Sequence, residues 1–314
     1  QTVKEVPWLD LQSVSLGVRY RMVENQLGLR AQNWSDHHQG LKLRLKLDPA
    51  ARYSLSAVAS NGSAFIAGWN LRGINGRSSN RLFLKQLFLT AKPHSGVEFQ
   101  YGGLGIIRGE SSEITSYDND GYLMGQRLTL SPGRVLDELT MTAGYLGDLR
   151  SPSVTRRLHR LSDINYGQVL VKRRMTDRLT ATADFTADDG ERTLRQGVAI
   201  RPSTLVDLIR LEVYERVSGA GAGGALTVEK PFGRTRLAAS FASVDDRYRP
   251  VNGDRYGRGQ RLSLTSTTAL GQDVSLQVFL TRALDDQLAM PNRTRLDVHL
   301  RFELAPALRQ TSGR

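Results

Sequence analysis

Alternation with a period of two runs through almost the whole chain, and helical periodicity is nearly absent. In LKLRLKL (41–47), Leu41, Leu43, Leu45 and Leu47 fall on one face of a strand, and Lys42, Arg44 and Lys46 fall on the other. SVSLGVRYRM sets Val14, Leu16, Val18, Tyr20 and Met22 against Ser13, Ser15, Gly17, Arg19 and Arg21. RLDVHLRFEL sets Leu296, Val298, Leu300, Phe302 and Leu304 against Arg295, Asp297, His299, Arg301 and Glu303. DELTMTAGYL and DVSLQVFLTR repeat the pattern, with Phe279 falling in the polar row of the second. Counting such runs predicts about 16 strands: 13–23, 40–48, 51–60, 81–91, 97–106, 122–131, 138–147, 163–174, 178–187, 194–201, 207–217, 222–230, 234–244, 258–269, 273–283 and 293–304.

The connections take turns. One set is short and rich in turn residues: DPAA, KPHSG, SPGRVLD, MTD, RPSTLVD, KPFGR and LGQD. The other set is mostly longer and polar, at 24–39, 61–80, 107–121, 148–162, 188–193, 218–221, 245–257 and 284–292. An even strand count puts both termini at the short-turn end. Strands of ~9–11 residues suit a tilted crossing of ~30 Å of hydrocarbon. The fold class predicted is all-β: a transmembrane antiparallel β-barrel of about 16 strands with short periplasmic turns and longer outer loops. Residues 1–314 read as one barrel domain, with an N-terminal periplasmic segment at 1–12 and a C-terminal tail at 305–314. Leucines 41–47 then face lipid and the cations between them face water. Two runs, RLFLKQLFLTAK and INYGQVLVKRRM, are apolar on both faces; in a barrel, such a strand needs its inner face covered by a loop or a partner protein.

Composition agrees with a hollow structure. Hydrophobic residues make up 39% of the chain, below the ~45–50% usual for a globular domain. With no cysteine, disulfides, thiolate metal sites and Cys nucleophiles are excluded. No stretch reaches the ~18 apolar residues of a transmembrane helix. The beginning, QTVKEVPW, reads as a mature chain after removal of a leader. The formal charge of +12 is spread at strand spacing. No aromatic–basic pattern, zinc spacing or basic helix accompanies it, which argues against nucleic acid as a partner. Alternation instead places Arg19, Arg21, Lys42, Arg44, Lys46, Arg127, Arg210, Arg295 and Arg301 on the inner face, against Glu98, Asp184, Glu212, Glu229, Asp297 and Glu303. Once the barrel closes, the first, second and last strands are neighbours, and Arg19, Arg21, Lys42, Arg44, Arg295 and Arg301 form one basic wall. The blander expectation is that these cations hydrate the lumen and pair with carboxylates.

This plan of strands and loops resembles the Gram-negative outer-membrane porins with 16 strands, over essentially the whole chain. The final strand RLDVHLRFEL is similar to the alternating C-terminal signal of such barrels, although APALRQTSGR follows where the family ends on an aromatic residue. The resemblance implies an outer-membrane location, small solutes and homotrimers. It also implies that the third long loop, 107–121, folds inward and opposes a basic wall with acidic residues, here Glu110, Glu113, Asp118 and Asp120; the Pro-Glu-Phe-Gly-Gly signature of general porins is missing from it.

Other motifs are weaker. In SYDNDGY, an EF-hand register puts Arg127 where the bidentate Glu belongs, so no metal site is assigned. GAGAGG matches a dinucleotide fingerprint, but ALTVEKPFG after it reads as a strand, so no cofactor is assigned. Asp36, His37 and His38 could form an acid–base pair or bind a metal, but no second carboxylate pair or Ser partner can be placed, and adjacent histidines of a strand point to opposite faces, which argues against both binding one ion. The expectation is a passive pore with anion preference and not an enzyme. A plugged or scaffolding barrel that houses an envelope protein, an outer-membrane hydrolase, and a soluble polyanion-binding β-protein stand as alternatives.

Overall fold

The computed structural model describes residues 8–25, 27–62, 70–71, 81–110, 122–133, 135–147, 151–202, 205–217, 219, 221–245, 259–285 and 293–304. The alternating runs become β1 (Leu9–Glu24), β2 (Arg30–Lys46), β3 (Tyr53–Ser60), β4 (Asn70–Leu71), β5 (Phe83–Ala91), β6 (Val97–Gly105), β7 (Tyr122–Leu130) and β8 (Glu138–Tyr145). They continue as β9 (Tyr166–Thr176), β10 (Leu179–Asp188), β11 (Glu191–Ile200), β12 (Leu208–Arg216), β13 (Ala222–Phe232), β14 (Thr235–Val244), β15 (Gly259–Ala269), β16 (Val274–Ala283) and β17 (Thr294–Glu303). A short 3-10 helix, Val154–Arg160, lies between β8 and β9 and packs across β5, β6 and β7.

All the strands join one antiparallel sheet. Sixteen form a closed wall, and β1 closes it against β17 from Ser15↔Glu303 to Glu24↔Thr294. The two-residue β4 adds to the upper part of β2, opposite Asp36 and His37. Burial is inverted relative to a water-soluble protein. Many inward charges are hidden, with Arg295 at 3% exposure and Asp297 at 0%. Outward apolar residues are open, with Leu211 at 51% and Val213 at 48%. Lipid is the solvent that suits such an outer surface.

Fifteen of the expected strands lie within a few residues of their predicted bounds; the largest difference is at β2. The expected long loop 24–39 is instead a hairpin, in which the N–H of Asn25 donates to the Leu29 carbonyl at 2.9 Å and β2 runs from Arg30. RAQNWSDHHQG is polar on both faces and so carries no period-two signal; it is held as strand by its pairing with β1 from Leu16↔Gln39 to Glu24↔Arg30. β1 begins at Leu9, inside the segment 1–12. A register shift between Leu11 and Ser13 moves the apolar phase from odd to even positions, and this hides Leu9↔Leu45 and Leu11↔Leu43 from a simple alternation test. The connection 188–193 shrinks to Asp189 and Gly190, both at positive φ (46° and 85°), as a two-residue hairpin with a primed turn requires. The tail 305–314 lies outside the described residues.

At the short-turn end, the N–H of Tyr53 donates to Asp48 Oδ1 at 2.7 Å, and this holds the Asp48 carboxyl below its usual range, with Arg52 adding to the effect. Between β7 and β8, a Cβ on Gly125 would lie 2.2 Å from the Ala143 carbonyl oxygen and one on Gly144 would lie 2.3 Å from that of Met124, so only glycine permits this approach.

The upper edge of β2 is tied by one side chain. Asn61 is fully buried. Its Oδ1 accepts from the N–H of Gln39 at 2.9 Å, its Nδ2 donates to the carbonyl of His37 at 3.1 Å, and its own N–H donates to the carbonyl of Gln39 at 3.1 Å. It replaces a strand where β3 has ended. Asn61→Ala removes two of these bonds and leaves buried backbone groups unpaired. It is expected to destabilise the folded barrel by about 1–3 kcal/mol, measured by urea unfolding in lipid vesicles.

Candidate functional site: the inner face of the barrel

Register places the basic residues named from the sequence on the inner face, but it divides them into two groups. The upper group is pinned. Arg19 Nε donates to Asp36 Oδ1 at 2.8 Å, and its terminal nitrogen also reaches Asp36. Arg21 donates twice to Asp297, at 2.8 and 3.1 Å. Arg295 donates to the same carboxylate at 3.0 and 2.6 Å and lies 5.7 Å from the centre of the Phe279 ring. Arg127 donates to Thr142 Oγ1 at 3.2 Å, to Gln100 Oε1 at 3.1 Å and to the Gly105 carbonyl. All four are buried. Cross-strand pairing explains the pattern: Arg19 is directly opposite Asp36, and Arg21 directly opposite Asp297.

The lower group, towards the short turns, is solvated. Lys42 is exposed, Arg44 and Lys46 are half-buried, and the Arg301 side chain is 57% exposed. Arg44 makes a long contact of 3.4 Å with the Ala51 carbonyl, and Arg301 lies 3.8 Å from Glu303. The side chains of Lys42 and Lys46 have no ion-pair or hydrogen-bond partner among the described residues. The six cations expected to share one wall do stand on β17, β1 and β2, but three of them are bound to carboxylates, Arg19 to Asp36 and Arg21 and Arg295 to the one carboxylate of Asp297.

Across the barrel, the connection after β6 turns inward. Gln168 Nε2 donates to the Ile107 carbonyl at 2.9 Å. Gly109, at φ 61°, sits where a Cβ would touch Leu170 and Thr182. Glu110 stands 3.5 Å from Lys172 and 4.0 Å from Arg210 and donates its N–H to Thr182 Oγ1 at 3.4 Å. Arg210 also reaches Glu229 at 3.5 Å. The inner wall is cut back to receive this segment: Gly197 has Glu110 at about the distance of ordinary contact from where a Cβ would be. Glu113, Asp118 and Asp120 lie outside the described residues. The doubly apolar run 81–92 finds its cover within the chain, because Phe88 and Ile106 pack against the buried cluster Leu104, Leu123, Leu146 and Tyr166.

Some inner residues were missed from the sequence. Asp184, which was foreseen, meets Arg195 at 2.8 Å and also Gln168. Arg195 and Arg261 stand at alternate positions of their strands and were legible by register. Arg157 lies in the 3-10 helix, fully buried, where no periodicity marks it. Asp36 and His37 do not act as a pair. Asp36 is held by Arg19 on the inner face, and His37 stands opposite Val18 on the outer one. His38 Nε2 instead approaches Ser15 Oγ at 3.2 Å. The glycine-rich turn before Ala222 leads into β13, a strand, as expected.

No protein-family model and no curated sequence matches the chain. Solved structures do. A triple mutant of the Rhodopseudomonas blastica porin is 14% identical, with a TM-score of 0.61, over 94% of this chain and 99% of that one. A double mutant of the same porin is 15% identical, with a TM-score of 0.61 over the same shares. A chain described under asymmetric conductivity of engineered proteins is 14% identical, with a TM-score of 0.59, over 94% of this chain and 100% of that one. At such identity the likeness establishes the fold: a porin-like, closed 16-strand barrel of the outer-membrane type.

Asp297→Asn leaves Arg21 and Arg295 without their shared carboxylate in a buried place. It is expected to destabilise the barrel by about 3–5 kcal/mol, read from equilibrium unfolding in vesicles. Adding Arg21→Met should recover part of that loss, and strict additivity of the two changes would mean that the two groups are not coupled.

Proposed function

We propose that this chain is a passive diffusion channel of the outer membrane of a Gram-negative-type bacterium, with anion preference for small solutes. The observation that carries the reading is the solvated group Lys42, Arg44, Lys46 and Arg301 on the inner face. Buried arginines bound to carboxylates project little net field into the pore, whereas solvated cations whose contacts are long or absent attract anions across the water in front of them. Selection is then by pore width and field, with no covalent step. The segment carrying Glu110, anchored to Lys172 and Arg210, narrows the passage from the opposite side. Assembly as a homotrimer in membrane lipid goes with this reading by analogy to the porins. The barrel reads as one domain from end to end. A scaffold for a partner envelope protein is less favoured, since the chain's own Ile106 helps to cover the apolar inner patch that suggested one.

The test is the reversal potential of the refolded protein in a planar bilayer under a potassium chloride gradient. The wild-type channel is expected to prefer chloride. Arg44→Glu with Arg301→Glu should lower the anion-to-cation permeability ratio on the order of severalfold. A cation-preferring wild type, or a protein that inserts and never conducts, would overturn the proposal. Glu110→Gln should loosen the inward segment and increase open-channel current noise at unchanged ionic strength. Noise equal to that of wild type would mean that these ion pairs do not hold it.

A further inference from the structure

Two of the solvated cations of β2, Arg44 and Lys46, face hydroxyls on β3, and one of those hydroxyls is buried with nothing to bind. Ser54 on β3 pairs directly with Lys46 on one side and with Thr90 of β5 on the other. It is 1% exposed, and its Oγ has no hydrogen-bond partner. A buried hydroxyl left unpaired is costly in a folded protein and marks a place where a partner is missing. Ser56 stands opposite Arg44 in the same row. From Lys42 to Lys46, three cations occupy successive inward positions, about 6–7 Å apart along the strand. Among the described residues no carboxylate forms an ion pair with them: Asp10 stands opposite Arg44 in register without a salt bridge to it, and Glu303 is engaged by Ser13 Oγ at 2.8 Å and by the N–H of Val14 at 2.9 Å. Hydroxyls, ammonium groups and a guanidinium together make a donor-rich surface.

We infer that Lys42, Arg44, Lys46 and Ser54 form a discrete, saturable site for a phosphate-class oxyanion at the short-turn mouth of the barrel. This deepens the channel reading above and rests on it for its biological role. A tetrahedral oxyanion offers several acceptors at once and so can use the guanidinium, the ammonium groups and the hydroxyl together. A halide feels the same field but cannot engage directional donors in this way. The site turns a general anion preference into retention of one ligand class just inside the mouth.

Two measurements separate the site from the channel. Binding of inorganic phosphate to the detergent-refolded barrel is measured by calorimetry, and concentration-dependent inhibition of chloride current by phosphate is measured in bilayers. Saturable binding is expected. Ser54→Ala should weaken it about three- to tenfold, as loss of one hydrogen bond to a charged ligand does. Lys46→Gln should weaken it about tenfold or more. Arg236→Gln, which removes a solvated cation on β14 away from the site, should leave the calorimetric affinity unchanged. Ser54→Ala binding phosphate as wild type does, or Arg236→Gln weakening it as much as Lys46→Gln, would reduce the site to a diffuse field and overturn the inference. Absence of binding in a barrel that conducts chloride overturns the site and leaves the channel standing. Binding in a barrel that never conducts overturns the channel and leaves the site. A hexose phosphate run in parallel identifies the source: equal affinity points to the free ion, and tighter binding of the hexose phosphate to a phosphorylated solute.

Discussion

Every backbone N–H and C=O in the wall of this protein must find a partner within the wall, because hydrocarbon offers none. A sheet meets that demand only by closing. The pairing of β1 with β17 is therefore the contact on which the rest depends. It joins residues from the two ends of the chain in an unbroken register from Ser15↔Glu303 to Glu24↔Thr294. The same closure brings Arg19, Arg21, Arg295 and Arg301 onto adjoining strands, so the fold and its candidate site arise from one set of hydrogen bonds.

Closure also sets the electrostatics. Arginines that meet a carboxylate at or beside the seam are withdrawn from water: Arg21 with Asp297 across it, Arg295 with Asp297 along β17, and Arg19 with Asp36 between β1 and β2. They stiffen the wall at its join. Lower down, β2 runs beside β3, whose inward residues Ser54 and Ser56 carry no charge. Lys42, Arg44 and Lys46 meet no acid there and stay hydrated. One alternating run of cations thus belongs to a polar surface, and another of similar composition belongs to the structure. The difference lies in whether an acid of a neighbouring strand forms an ion pair with the cation, as Asp36 does with Arg19 and Asp297 with Arg21, and as Asp10 does not with Arg44 opposite it.

The loop side follows a different logic. An inward segment must displace water from the lumen and satisfy its own backbone as it does so. Ile107 and Glu110 meet this need through Gln168 and Thr182, and small residues such as Gly197 make the room. Glu110 then places a negative charge between Lys172 and Arg210. The apolar inner faces of β5 and β9 make sense once this segment is in place, because Phe88, Tyr166 and Ile106 share one buried cluster.

Alternation in the sequence by itself determined the fold class and nearly all of the strand bounds. It could do so because a strand's two faces are a local property with a period of two, and lipid outside makes that period strict. It failed where the local signal is absent or shifts: the two-sided polar stretch of β2, the change of phase near Ser13 that conceals the start of β1, and the buried Arg157 of a helix within a loop. Which cations are neutralised was decided only by the tertiary structure. Arg21 and Asp297 are 276 residues apart in the chain, and whether they meet depends on register accumulated around the whole barrel. The same holds for Glu110 with Arg210, and for Ser54, whose lack of a partner is visible only when both of its neighbouring strands are in place.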